Sequence, residues 1–119
     1  MSSAISPKVQ NQIAMLQQMQ QQMQTIGGQK AQYEVAIREA KRANEELSDV
    51  PEDSSVFMSV GTVMMEKKKE DVVLKLNEKI ETLELRIKSL EKQETLLAGK
   101  FEQLQSQIKQ ALEGKPSAS

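Results

Sequence analysis

Apolar side chains recur at alternating steps of three and four residues along both halves of the chain. In the first half the positions are Val9, Gln12, Leu16, Met19, Met23, Ile26, Lys30, Tyr33, Ile37, Ala40, Asn44 and Leu47, with Gln12, Lys30 and Asn44 as polar interruptions. In the second they are Val73, Leu76, Ile80, Leu83, Ile87, Leu90, Glu94, Leu97, Phe101, Leu104, Ile108 and Ala111, and only Glu94 is polar. A repeat of roughly 3.5 residues puts such positions on one seam of a helix, which a second helix must cover. The repeat persists far beyond the length of an ordinary amphipathic helix, so it predicts two long coiled-coil helices.

The ends agree with the periods. Ser6 suits a helix N-cap and Pro7 the first helical position, while Pro51 disfavours helix at Val50. Helix 1 is expected over 7–48. Helix 2 is expected over 69–113, with Glu70 and Asp71 at its positive end and Gly114 and Pro116 beyond it, leaving 1–6 and 114–119 as flexible tails. Each arm would reach ~60 Å at the helical rise. If the helices fold back on one another, every seam position meets a seam position, with Leu47 facing Val73, Ile37 facing Leu83, Leu16 facing Leu104 and Met19 facing Phe101. Lys30 and Glu94 fall in adjacent layers, either leaning together or extending their charged ends to water. Gly27 and Gly28 lie at the same level and suggest a soft joint in the arm.

The seams leave 48–72 as the connection, too long to be structureless in a compact protein. Val56 to Val60 and Thr62 to Glu66 are β-prone runs around Gly61, the residue best able to take positive φ in a tight turn. They predict a β-hairpin over 55–67. Its apolar residues, Val56, Phe57, Met58, Val60, Val63, Met64 and Met65, do not alternate cleanly with polar ones, so both faces want cover. A lone hairpin is marginal in water and has two unpaired edges, which makes the insert a device for pairing with other subunits. The simpler alternative is a loop packed against its own helix ends.

Composition narrows the function. The chain of 119 residues has Tyr33, Phe57 and Phe101 as its aromatics, too few bulky side chains for an ordinary enzyme core. Its formal net charge of -1 gives no field to draw nucleic acid or an anionic membrane. With no Cys and no His, disulfides, thiolate chemistry, zinc sites built on those residues and the usual general base are excluded. No metal, cofactor or catalytic residue is expected. "GKPS" at 114–117 has Pro116 where a phosphate loop needs Ser or Thr, and lacks the preceding glycine. No secretory signal or membrane-spanning run is seen, so a cytoplasmic protein is expected.

Two heptad arms joined by "SVFMSVGTVMMEKKKEDVVLKL", preceded by "ELSDVPEDS" and followed by "LNEKIETLELRIKSLEKQE", resemble a β-class prefoldin subunit of the archaeal type. The resemblance covers nearly the whole chain, and its most specific part is the hairpin: Val56 and Phe57, the turn residue Gly61, then Val63, Met64 and a charged strand end. One hairpin rather than two points to the β class. Met58 and Met64 differ from the residue types of many members, which bears on partner choice. The resemblance implies an ATP-independent chaperone: a hexamer of two α and four β subunits, whose hairpins form a β-barrel body from which the coiled coils hang. It also implies unfolded client proteins as cargo and a group II chaperonin as recipient.

Tentacles of this kind must grip at their free ends, where both chain termini lie. The candidate client-binding residues there are Ile5, Val9, Ile13, Met15, Leu16, Met19, Leu104, Ile108 and Leu112, in a segment whose "MLQQMQQQMQ" run carries adaptable Met side chains. A plainer reading makes Met15 a seam neighbour and the Gln run a solvated helical face. The rival for the whole chain is a structural coiled-coil scaffold or tether, which fits the seams equally well but leaves the insert unexplained.

Overall fold

The structure, a computed structural model, describes residues 5–114. Its element order is α1 (Pro7–Ser48), β1 (Val56–Val60), β2 (Val63–Lys67) and α2 (Lys69–Leu112). Helix 1 occupies the expected span, and Ser6 caps it by accepting a hydrogen bond from the Val9 amide at 3.2 Å. At its other end the Asp49 and Val50 amides fall back onto the carbonyls of Glu46 and Leu47 just before Pro51. Helix 2 stops one residue before the expected end. Gly114 takes φ +72° and its amide turns back to the Ala111 carbonyl at 3.2 Å, a left-handed cap that ends the helix ahead of Glu113. The expected tails at 1–4 and 115–119 lie outside the described residues.

Contacts group the chain into two units, one formed by Lys30–Lys88 and the other by Met1–Gln29 with Ser89–Ser119. In the second unit Val9, Leu104 and Ile108 form a buried cluster, against which Ile13, Leu16 and Met19 pack. The helix continues through Gly27 and Gly28. In the unit holding the hairpin, Ile37, Ala40, Val72 and Leu83 are buried, and the Arg86 guanidinium stands over the Tyr33 ring at 5.8 Å. All the seam positions expected from the sequence are buried or half-buried except Ala111 at the end of α2. The polar interruptions Lys30, Asn44 and Glu94 are half-buried with them.

The strands pair antiparallel, with Val56 opposite Lys67, Met58 opposite Met65 and Val60 opposite Val63. Gly61 has φ +61° and Thr62 does not, so the positive φ falls at the first central residue of a two-residue loop, as in a type II′ turn. The second strand therefore begins at Val63 and not at Thr62, because one residue cannot reverse a hairpin whose ends must still pair.

The seam predicts its own energetics. Leu83 is 6% exposed and Leu85 is 60% exposed. Leu83→Ala should cost ~2–4 kcal/mol of stability, and Leu85→Ala should stay within ~0.5 kcal/mol. Urea unfolding followed by circular dichroism checks this, and equal losses would mean that the seam is not what holds the helices.

Candidate functional site

The hairpin is anchored at its base and bare elsewhere. Lys69, the first residue of α2 and 12% exposed along its side chain, donates from Nζ to the Val50 carbonyl at 2.7 Å and lies 3.3 Å from Glu52 Oε1. This ties the start of α2 to the chain leaving α1. The Ser55 hydroxyl donates to Glu66 Oε1 at 2.9 Å, joining the two strands where they enter the hairpin.

Cross-strand partners point to the same side of a sheet, which assigns each residue to a face. One face carries Val56, Met58 and Val60 with their partners Lys67, Met65 and Val63. Its base lies over α2, where Met58 and Lys67 line a cavity with Asp71, Val72, Leu74 and Lys75, and Val56 and Met58 are half-buried. The outer part of that face, Val60, Val63 and Met65, is exposed. The opposite face presents Phe57, 59% exposed, and Met64, 68% exposed. The sheet has two strands among the described residues, so the outer backbone edges of both are unpaired. Helix 2 thus covers the base of one face, and the rest of the apolar surface stays open to water. Gly61 makes this geometry possible by closing the loop.

The expected client-binding residues separate into two groups. Ile5, Met15 and Leu112 are exposed. Val9, Leu104 and Ile108 are buried in the core cluster, with Ile13, Leu16 and Met19 half-buried around it. Between α1 and α2 near this end, the side chains of Ser6, Lys8, Val9, Gln12, Gln107 and Gln110 line a groove. The first group offers apolar surface directly, and the second supplies the packing that holds the two helix ends side by side.

Sequence reasoning passed over Val72, which is buried beside the seam and lines the cavity that Met58 and Lys67 of the hairpin share with α2. It also passed over Lys69 as a tie and over the Asn44–Asn77 hydrogen bond, 2.9 Å from Nδ2 to Oδ1. Asn44 was visible as a polar break in an apolar seam; its partner, off the seam, was not. Among the described residues no group of His, Cys, Asp or Glu could hold a metal ion, and no helix is long and apolar enough to cross a membrane.

The chain is similar to known proteins over most of its length. The family model described as prefoldin subunit matches residues 10–115. The prefoldin subunit beta of Methanospirillum hungatei is 62% identical over 93% of this chain and 92% of its own length. That of Methanoculleus marisnigri is 71% identical over 93% of this chain and 92% of its own. The crystal structure of the prefoldin beta subunit from Thermococcus strain KS-1 superposes with a TM-score of 0.82 at 40% identity, covering 93% of this chain and 97% of that one. The chain belongs to the prefoldin subunit family. It is a chaperone subunit of the β type, and a role as a bare scaffold or tether is not favoured.

Proposed function

We propose that this chain assembles through its hairpin as the β-class component of a hexamer of two α and four β subunits, and holds unfolded proteins at the far ends of its helices without nucleotide. The observation that carries the assembly is the uncovered hairpin, with Phe57, Val60, Val63, Met64 and Met65 exposed and both sheet edges unpaired. Burying an aliphatic or Met side chain is worth ~1.5–3 kcal/mol, so hairpins from several copies closing into a β-barrel gain from both faces and from the edges. Val56 and Met58, with Gly61 at the turn, position the strands for that closure.

Holding is supported by the exposed apolar side chains of Ile5, Met15 and Leu112. Side chains of the cluster, Val9, Leu104 and Ile108, become available when the last turns open around a client. No single contact need be strong: a millimolar grip is only ~4 kcal/mol, and linked grips raise avidity by ~10² to 10⁴. Cargo held by many weak contacts is released without fuel to a group II chaperonin that binds it better. This activity would operate in the cytoplasm and requires no catalysis.

Val63→Asp places a charge among the exposed residues of one hairpin face. Mixed with an α-class subunit, the variant should fail to reach the mass of the wild-type complex while keeping its helical circular dichroism; a complex of unchanged mass would remove the assembly reading. The triple variant Ile5→Ser, Met15→Ser, Leu112→Ser alters exposed positions and should assemble normally. Its complex should suppress aggregation of a denatured protein, in the absence of nucleotide, at least several-fold less well than the wild type, and undiminished protection would move the grip elsewhere.

A further inference from the structure

We infer that the subunit interface continues from the hairpin onto the first turns of α2, where Leu74 and Met58 form an acceptor for an apolar side chain of a second copy of this chain. The inference deepens the assembly reading above and rests on it. Leu74 lies between the seam positions Val73 and Leu76 but off the seam itself, and it is 59% exposed. A leucine there adds nothing to the packing of the two helices.

Single exposed leucines are ordinary on a protein surface, and Leu85, 60% exposed on the same helix, is one of them. Leu74 differs in its neighbours. It shares a cavity of about 280 Å³ with the buried Val72 and with Met58 and Lys67 at the base of the hairpin, and the exposed Lys75 and Glu78 also line it. Apolar side chains surrounded by exposed charges of both signs match the apolar centre and polar rim of a protein–protein contact. The volume falls just below the ~300–1,000 Å³ of pockets that enclose small molecules. It suits a side chain.

The sheet indicates the source of that side chain. Met58 has Met65 beside it on β2, and on its other side lies the outer edge of β1, unpaired among the described residues. A strand of a second copy added to that edge would lie ~4.8 Å away, and its side chains on this face would extend the row of Met65 and Met58 over the first turns of α2. The same face of that copy carries Met58 and Met65 among its valines, and unbranched Met adapts to a cavity of irregular outline. Val60, Val63 and Met65, all exposed on this face, make the apolar patch continuous from the hairpin tip to Leu74.

Two leucines of one helix separate the outcomes. Leu74→Glu and Leu85→Glu each replace an exposed side chain, so both variants should keep the helical circular dichroism of the wild type. Mixed with an α-class subunit, Leu74→Glu should need a roughly tenfold higher concentration to reach the mass of the wild-type complex, and Leu85→Glu should match the wild type. A leucine analogue carrying a photoreactive diazirine at position 74 identifies the occupant: irradiating the complex should link it to a second copy of this chain. Two variants that assemble alike, or an analogue that links to nothing, to the α-class subunit alone or to an added denatured protein alone, would overturn the inference and leave the hairpin reading intact. If Val63→Asp assembles as the wild type does, the hairpin reading falls and this inference falls with it.

Discussion

Two helices packed along one seam have a core a single layer deep, and that limit governs the rest of the molecule. Nearly every apolar seam residue is used in covering its counterpart, from Val9 against Leu104 and Ile108 to Ile37, Ala40 and Leu83. None of these seam residues is left over to roof a sheet. A hairpin placed on such a support can bury only its base, where Met58 meets the start of α2, and must leave Phe57 and Met64 in water. The apolar surface that the seam cannot hide is the surface that the proposed assembly shares among subunits.

The same limit shapes the free ends. A cluster as thin as Val9, Leu104 and Ile108, with Ile13, Leu16 and Met19 packed against it, holds the helix termini together, and Met15 and Leu112 outside it remain exposed. Under the proposed holding function, weak packing at this end is useful, because terminal turns that open easily add apolar surface when cargo arrives. Burial at the base of the hairpin and exposure at the helix ends are then two outcomes of one shortage of interior.

Much of the fold was legible because its signals are local. Period, caps and proline positions are properties of neighbouring residues, so helix 1 and the seam could be read directly from the chain. Ala111 lies on the seam but is exposed, since it falls at the last turn of α2. Thr62 reads as a strand residue by its side chain but is needed in the turn. Val72 and Asn77 take their surroundings from the partner element, the hairpin in one case and α1 in the other, so no periodicity marks them. At the helix ends the sequence identified apolar residues without distinguishing those that pack from those that face water; Val9 and Met15 differ only by their position around α1.

The most direct measurement of the central claim is backbone hydrogen exchange over Val56–Lys67, recorded on the isolated chain at low concentration and again after an α-class subunit is added. The account predicts rapid exchange across the hairpin in the isolated chain, with slowing of at least tenfold once subunits join, while the seam amides around Leu83 are protected throughout. Slow exchange of those strands in a dilute monomer would contradict it, because the chain would then be covering its own hairpin.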